Sequence, residues 1–224
     1  MPKEPTLQMS RLGRCRRQVG YQALRIPQSD PPTPEDQANL QRGNVQEPRV
    51  IEDLARRGFQ VRDTGKDQRR VELVSSGGII MRGRPDGLIL EEDSWKILEV
   101  KSVGPKPFKQ WRALGVAAFR PHYVATANGY MAATGIWQTR FEAATGEDLR
   151  IYTEYLSFNL PLWTSLVERW EQVWPTIRSG ELPAPDYDGS DFHCSQRFCP
   201  WSSLCPSGLA YQEQEKIDVH VRRD

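Results

Sequence analysis

The sequence predicts an α/β protein in which a mixed sheet is flanked by helices. Two observations lead to this prediction: helical periodicity before residue 58 and after residue 105, and short apolar runs separated by turn residues in between. The chain has 224 residues, enough for one sizeable core, and its 38% hydrophobic and 26% charged content is typical of a folded protein.

Charge and hydropathy exclude some classes of function. A net charge of +1 does not by itself indicate a nucleic-acid partner. No apolar run approaches the roughly eighteen residues that a membrane span needs. The N-terminus is basic and lacks the apolar core of a secretory signal. We therefore expect a cytoplasmic protein without a membrane partner.

The N-terminal third is predicted to be helical. Residues 1–26 resemble a short basic helix, and a proline-rich connector follows at 27–36. Thr33 is a candidate N-cap because Pro34 and two acidic residues come directly after it. This helix is expected to run to Arg57, where Gly58 offers a C-cap.

A sheet and further helices are predicted downstream. The strands have the spacing of a β-meander and are expected at 59–63, 69–75, 78–84, 86–92 and 95–102, with two more at 136–141 and 149–158. Helices are expected at 108–119, 122–135 and 161–178, the last with a core stripe of Leu162, Leu166, Trp170 and Trp174. We expect three segments: an N-terminal segment 1–26, a core 27–180 and a C-terminal segment 181–224.

Two ionisable residues stand inside the strand predicted at 95–102. Residues i and i+2 share a face of a strand, so Glu99 and Lys101 point the same way. A hairpin would bring Asp86 alongside Glu99. The two carboxylates would then form a site for Mg²⁺ or Mn²⁺, with Lys101 beside it to stabilise negative charge on a phosphate. The alternative is a cross-strand ion pair on a solvated face.

Glu47 is a further acidic residue in an unusual position. It precedes Val50, Ile51 and Leu54 by three, four and seven residues, which places it on the buried stripe of its helix. A lone acid on a core stripe would be explained if it reached the same metal.

These motifs resemble the signature of the PD-(D/E)xK nuclease superfamily. Pro85-Asp86 and Glu99-x-Lys101 match its catalytic strands, and Gly43 with Glu47 is similar to the helix motif of RecB-like and phage exonucleases. Many relatives carry a histidine in that helix, and this chain does not. The resemblance covers roughly residues 43–130 and implies a restriction-endonuclease-like core. It also implies that Glu47, Asp86, Glu99 and the Val100 carbonyl bind Mg²⁺ or Mn²⁺.

Substrate contacts are predicted from the same resemblance and from nearby basic residues. The family tends to have a Gln-x-x-x-Tyr helix after the catalytic strand, and here Tyr130 matches while Thr126 stands in place of glutamine. These two residues share a helix face and could both touch a substrate phosphate. Arg82 and Arg84 are weaker candidates, for which a solvated or packing role is an equal alternative.

Four cysteines are too few for a disulfide scaffold. Cys15 stands alone, whereas Cys194, Cys199 and Cys205 crowd the other end of the chain. In a reducing compartment such a set points to a metal or cluster. Zinc on the four cysteines and unliganded buried thiols remain alternatives. His193 is adjacent to Cys194 and is not assigned as a ligand because four cysteines suffice.

The cysteines are similar to those of an iron–sulfur branch of the same superfamily. In that branch one N-terminal and three C-terminal cysteines hold a [4Fe–4S] cluster, which would join the N- and C-terminal segments. Ser10-x₄-Cys15-x-Arg17 and the segment 199-CPWSSLC-205 fit, although relatives space the first two C-terminal cysteines more tightly. The four cysteines match the four thiolates that a cubane cluster needs.

The resemblance implies a metal-dependent deoxyribonuclease, in first place an exonuclease, acting on DNA in recombination, repair or processing. The metal would activate a water that Lys101 orients for attack on the phosphodiester. One alternative is a trimming nuclease of CRISPR adaptation. The other is a non-catalytic DNA-binding iron–sulfur subunit of a larger complex. Protein partners in recombination or CRISPR adaptation are part of these hypotheses.

Overall fold

The computed structural model describes residues 4–146 and 148–221, with side chains up to residue 215. The chain divides into two compact units. One unit contains Arg14–Asp36 and the residues from Trp170 onward, and the other contains Thr6–Gly13 and Gln37–Arg169. No helix in the described ranges is long and apolar enough to cross a bilayer.

The larger unit is built on a five-stranded mixed sheet of order β2-β5-β6-β7-β8. Its strands are β2 (Gln60–Arg62), β5 (Gly87–Glu91), β6 (Ser94–Ser102), β7 (Gln138–Thr145) and β8 (Arg150–Ser157). Only the β6–β7 pair is parallel, and the other neighbouring pairs are antiparallel. The predicted mixed sheet flanked by helices is therefore confirmed.

The predicted β-meander is wrong. β2 pairs with β5 rather than with the next strand in the chain. The strands between them, β3 (Val71–Val74) and β4 (Ile80–Gly83), leave the main sheet and form a separate hairpin. The short strand β1 (Leu7–Gln8) completes that second sheet by pairing in parallel with β4. Spacing along the chain reports strands and turns, but it does not report which strands pair.

The helix after the proline-rich connector is α2 (Pro34–Arg56), close to its predicted bounds. Its start is a reciprocal cap: the Asp36 backbone N–H donates to the Thr33 hydroxyl (3.2 Å), and the Thr33 backbone N–H donates to the Asp36 carboxylate (3.0 Å). Downstream, Val50 and Leu54 of α2 pack on the sheet in a cluster with Ile89, Leu98, Val100 and Ala144. This packing places the helix across one face of the sheet, beneath β5 and β6.

Two further helices connect the parallel strands β6 and β7. They are α3 (Pro105–Phe119), which is interrupted at Gly115, and α4 (Pro121–Thr134), which ends at Gly135 in a left-handed conformation. Both were expected from the sequence. Residues Val124 to Met131 of α4 are all buried, so this helix is enclosed by the fold rather than amphipathic.

The other unit contains the N-terminal α1 (Arg16–Ala23) and the C-terminal α6 (Pro206–Val221). Tyr21 of α1 stacks on Trp201 with ring centroids 5.6 Å apart. The prediction of one helix over 1–26 is too broad, because β1 and a 3-10 turn precede α1; residues 1–3 lie outside the described part. The helix α6 was not predicted.

The helix α5 (Leu160–Arg178) begins one residue before its predicted start and ends where predicted. Its core stripe is confirmed at Leu166, Trp170 and Trp174, which are buried, while Leu162 is half-buried.

Candidate active site

The hairpin of β5 and β6 brings the two predicted carboxylates to one ammonium group. Gly87 is paired with Leu98, so Asp86 stands beside Glu99 at the end of the hairpin ladder. The Lys101 Nζ lies 3.0 Å from Asp86 Oδ2 and 2.7 Å from Glu99 Oε2. The Glu99 side chain is only 4% exposed, which excludes the alternative of an ion pair on a solvated face.

Asp86 is held against the backbone of β6 as well as against the lysine. Its Oδ2 accepts a hydrogen bond of 2.8 Å from the Val100 N–H. The Val100 carbonyl in turn accepts one of 3.1 Å from Lys101 Nζ. The ammonium thus has three acceptors, and two of them, on Glu99 and Val100, belong to its own strand, so that strand sets the orientation of Lys101.

Glu47 lies on α2 next to a residue that contacts the end of β6. The neighbouring Gln46 is hydrogen-bonded by the Ser102 hydroxyl at the end of β6, which ties the helix to the strand there. Burial raises the pKa of Glu47, and the charge of Asp86 raises it further while Lys101 lowers it. Glu47 is therefore within the electrostatic influence of Asp86 and Lys101, while its side-chain hydrogen bond is to Gln68.

Burial and charge repulsion dominate the electrostatics of the site. Burial and the charge of Asp86 together raise the pKa of Glu99 to about 7. Burial alone would lower the pKa of Lys101, but the charges of Asp86 and Glu99 raise it well above its ordinary value. Lys101 therefore remains an ammonium ion at neutral pH and is a hydrogen-bond donor rather than a base.

The residues of the site fit a divalent cation by charge and by donor type. Asp86 and Glu99 contact one ammonium, and Glu47 is a third carboxylate within their electrostatic influence, which leaves an excess of negative charge. Glu99 Oε1 is buried without a hydrogen-bond partner in the described structure. Carboxylate oxygens with one carbonyl, that of Val100, are the donors that Mg²⁺ and Mn²⁺ prefer.

The positions of the side chains do not amount to a preformed metal centre. No three His, Cys, Asp or Glu side chains of the described ranges are arranged as metal ligands. At the hairpin, the Lys101 ammonium occupies the space between Asp86 and Glu99. Cation binding there would require the ammonium to move away from at least one carboxylate.

Tyr130 lies beside the carboxylates, whereas Thr126 is used within its own helix. Burial and the charge of Glu99 raise the pKa of the Tyr130 hydroxyl, which is hydrogen-bonded to the Arg84 backbone. The ring packs on Gly83, where an added Cβ would stand only 2.5 Å from the ring. Thr126 is buried and donates its hydroxyl hydrogen to the His122 carbonyl (2.9 Å), so the structure does not bring it to the carboxylates.

The two arginine candidates stand apart from the carboxylate group. Arg82 belongs to the smaller sheet and pairs with Glu72 on the neighbouring strand at 2.5 Å. Arg84 is exposed, and its contact with the site is through its backbone and Tyr130. The side chain of Arg82 thus has a local partner, in keeping with the packing alternative.

Two residues near the carboxylates were not predicted. Gln68 donates a hydrogen bond of 3.0 Å to Glu47 Oε1, and the Tyr123 ring centroid lies 5.7 Å from Lys101 Nζ. Tyr123 follows a proline at a helix start, and Gln68 lies in a connecting segment. Neither position has a sequence pattern that distinguishes it, because each contact arises from the way distant segments fold together.

All four cysteines lie in the smaller unit and are free thiols. Burial is the main cause that raises the pKa of Cys194 to about 12 and that of Cys199 to about 11. Other cysteines, including Cys15, add to both effects. The smaller unit thus contains cysteines from opposite ends of the sequence, although among the described residues no three of them are arranged as metal ligands.

The donor set of this cysteine group suits a sulfur-bound metal or cluster. The Asp186 backbone N–H donates a hydrogen bond to Cys15 Sγ at 3.5 Å. Hydrogen bonds of this kind also adjust the reduction potential of clusters held by thiolates. His193 is directed elsewhere: its Nδ1 lies 2.7 Å from Asp191 Oδ1, and its ring stacks on Tyr187. The histidine is therefore occupied by neighbours other than the cysteines.

No protein-family model matches this sequence, and no curated protein matches it. Solved structures do match the fold. A protein titled SSO0001 superposes with a TM-score of 0.59 at 17% identity over 93% of this chain and 89% of that one. An alkaline exonuclease (LHK-Exo) from Laribacter hongkongensis also gives 0.59 at 17% identity, over 78% of this chain and 89% of that one.

A phage-related exonuclease from Haemophilus somnus 129PT gives a TM-score of 0.55 at 14% identity, over 80% of this chain and 95% of that chain. At such identities the likeness establishes the fold alone. The chain therefore has a mixed α/β fold similar to that of two exonucleases, with a buried and a half-buried carboxylate on one lysine at the end of the central hairpin.

Proposed function

We propose that the chain is a metal-dependent DNA nuclease, acting as an exonuclease that hydrolyses phosphodiester bonds. The observation that carries the proposal is the contact of Lys101 with the half-buried Asp86 and the buried Glu99, with Glu47 as a third carboxylate within their electrostatic influence. A surplus of carboxylates over ammonium groups in a partly buried site is stabilised when a cation binds. The cation proposed is Mg²⁺ or Mn²⁺, held by these carboxylates and the Val100 carbonyl.

Each residue has a role in hydrolysis, which adds water across a P–O bond of the backbone. When bound, the divalent cation would lower the pKa of a water and neutralise phosphate charge. Lys101, as a permanent ammonium, would donate a hydrogen bond to the water or to a non-bridging phosphate oxygen, where negative charge develops. Asp86 would hold Lys101 in place, and the buried Tyr130 would close one side of the site.

The choice of DNA and of exonuclease action is supported by the comparisons. Two proteins with this fold carry the word exonuclease in their names, and LHK-Exo was solved in complex with dAMP. The complex shows that a deoxynucleotide binds in that protein. For this chain, DNA as substrate and a place in recombination, repair or DNA processing are parts of the proposal.

The proposal includes a [4Fe–4S] cluster on Cys15, Cys194, Cys199 and Cys205. It is supported by the free thiols and by their electrostatic influence on one another. The role proposed is structural, because the cluster would join α1 to the C-terminal segment and no cysteine lies among the carboxylates. Zinc on the same ligands is the competing possibility.

The test is cleavage of end-labelled DNA by the full chain, purified without oxygen and assayed with Mn²⁺. Lys101→Ala and Asp86→Asn are expected to reduce the rate by at least about 100-fold, the scale for removing one charge-stabilising group. Arg150→Ala, at an exposed position of β8, is the control and should cleave like the wild type. Undiminished cleavage by both site variants would contradict the proposal.

A further inference from the structure

The segment that follows the catalytic strand carries positive charge without any acidic residue. No Asp or Glu occurs between Glu99 and Glu142, although the whole chain has 29 acidic residues against 30 Lys and Arg. Within this stretch, Lys106, Lys109 and Arg112 lie on α3 and are exposed. A chain whose charges are otherwise balanced therefore has one strongly cationic helix directly after its active-site lysine.

The three cations share one side of α3. Steps of three residues keep side chains on the same side of a helix. Phe108 and Trp111 are buried on another side of the helix, which leaves the basic side outward. Arg112 lies 6.0 Å from the Phe108 ring, and none of the three forms an ion pair within the described chain.

The part of α3 before Gly115 is held in a fixed direction by hydrogen bonds at its end. Gly115 has a φ of 75°, so the helix breaks there. Beyond the break, the Glu154 carboxylate of β8 accepts hydrogen bonds from the Val116 N–H (3.0 Å) and from the Trp111 indole (2.7 Å). The Glu154 carboxylate is therefore used at the break, and it forms no ion pair with the three cations in the described part of the chain.

Both ends of α3 lead back to the active site. Its first residue follows Lys101 after a short link, and Tyr123, which begins the next helix, lies 5.7 Å from Lys101 Nζ. The basic side of α3 thus belongs to the segment that connects Lys101 to Tyr123, and both ends of this segment lie at the active site. A polyanion that enters the site is the ligand whose charge complements this surface.

The aromatic residues of α3 indicate which form of DNA fits. Single strands are bound by cations together with exposed rings on which bases stack. On α3, Phe108 and Trp111 are buried, and Phe119 is half-buried with the Arg120 guanidinium 4.6 Å from its ring. From Lys106 to Arg112 the helix rises about 9 Å, and the same length of duplex carries about three phosphates of one strand.

We propose that the basic side of α3, formed by Lys106, Lys109 and Arg112, binds the phosphate backbone of duplex DNA flanking the site of hydrolysis. The contact is independent of base sequence. The choice of DNA as the ligand rests on the proposed nuclease function, but binding to α3 is measured without cleavage.

The experiment measures binding without cleavage. A fluorescent 30-base-pair duplex is titrated with the full chain in EDTA at several salt concentrations, and anisotropy gives the affinity. For Lys106→Glu/Lys109→Glu/Arg112→Glu we expect an affinity loss of at least about 20-fold, and a slope of log K against log salt that is smaller in magnitude by about 2 to 3. A single strand of the same length should lose less.

A matched control carries the same change in charge on another helix. Arg42→Glu/Arg49→Glu/Arg56→Glu alters three exposed residues of α2, where Arg56 already lies 3.8 Å from Asp53. It should bind duplex within about 3-fold of the wild type, because α2, unlike α3, also carries acidic residues along its length. If the α3 reversal variant does not fold, its Gln counterpart replaces it.

Three outcomes would overturn the inference. The first is unchanged duplex binding by the α3 variant, which would indicate an acidic protein as the partner of this surface. The second is an equal loss of affinity for single strands. The third is the absence of duplex binding by the wild type. Failure of the proposed function has a different signature. A wild type that binds duplex through α3 but does not cleave with Mn²⁺ would contradict nuclease activity and leave the inference standing.

Discussion

Gln68 donates a hydrogen bond of 3.0 Å to Glu47, the acidic residue that α2 contributes to the carboxylate group. Gln68 follows the short 3-10 turn Gly65–Asp67 and is separated from Glu47 by 21 residues in the sequence. The amide orients one oxygen of Glu47 and leaves the other for a cation. Partners that orient metal ligands in this way commonly affect metal affinity by 10- to 100-fold.

The Gln68→Ala variant should therefore need more metal. We expect the Mn²⁺ concentration for half-maximal cleavage to rise by about 10-fold, with the rate at saturating Mn²⁺ changed by less than about 3-fold. The measurement is cleavage rate against Mn²⁺ concentration. Gln60→Ala, at an exposed position of β2, is the control. Equal Mn²⁺ requirements for the wild type and Gln68→Ala would show that the hydrogen bond does not position Glu47.

Gly115 and Gly43 provide a matched pair of glycine substitutions in helices. Gly115→Ala should lower the free energy of unfolding by about 1–3 kcal/mol, because its φ of 75° strains any L side chain. Its added Cβ would also stand 3.2 Å from Glu154 Oε1. Gly43→Ala should instead raise the free energy by up to about 1 kcal/mol, since it lies in the regular helix α2 with nothing near its Cβ position.

Urea unfolding measures both variants. If the free energy of unfolding of Gly115→Ala were at least as high as that of Gly43→Ala, the positive φ of Gly115 would not be the cause of the break in α3. Because the break also sets the direction of the basic half of the helix, Gly115→Ala should weaken duplex binding as well.

Asp30 should make stability depend on pH in the acid range. Burial acts to raise the pKa of Asp30, but hydrogen bonds from the backbone and hydroxyl of Ser203 (2.8 and 2.6 Å), with others from Ser29 and Gln196, lower it below 3.8. A lowered carboxyl pKa contributes stability above pH 3.8, and this contribution is lost as the pH falls through the folded-state pKa.

Asp30→Asn should accordingly be less stable than the wild type by about 1 kcal/mol at pH 7, a value discounted for the exposure of the site. The difference should stay constant down to pH 5 and shrink below pH 3.8. Urea unfolding of metal-free protein at each pH gives it, with Asp67→Asn, at an exposed carboxylate, as control. If the stability difference between the wild type and Asp30→Asn grew as the pH fell, it would contradict a lowered pKa of Asp30.

The cysteine group predicts a coloured protein. Purified without oxygen, the chain should be brown and contain about four iron atoms, the content of the proposed cubane. Cys205→Ser should lose the colour and most of the iron and unfold at a lower temperature, whereas Ser195→Ala should retain both. A colourless protein with one zinc ion per chain would contradict the cluster and show that the cysteines bind zinc.

Local patterns in the sequence determined many of the elements. The alternation of Leu98 and Val100 with Glu99 and Lys101 assigns the two faces of β6, because side chains of a strand alternate. The acid at position 47 follows the same periodicity as the core residues of α2, so its half-buried position was predictable. Thr33 and Asp36 mark a helix start since their reciprocal hydrogen bonds need only neighbouring residues.

The tertiary structure alone decided the contacts between distant segments. It pairs β2 with β5, moves β3 and β4 to a second sheet, and brings Gln68 to Glu47 and Tyr123 to Lys101. Local periodicity does not encode these pairings, because closing a longer loop costs little extra entropy and the choice depends on how the whole core packs. The sequence by itself identified the carboxylates and the lysine, and the fold determined that they meet.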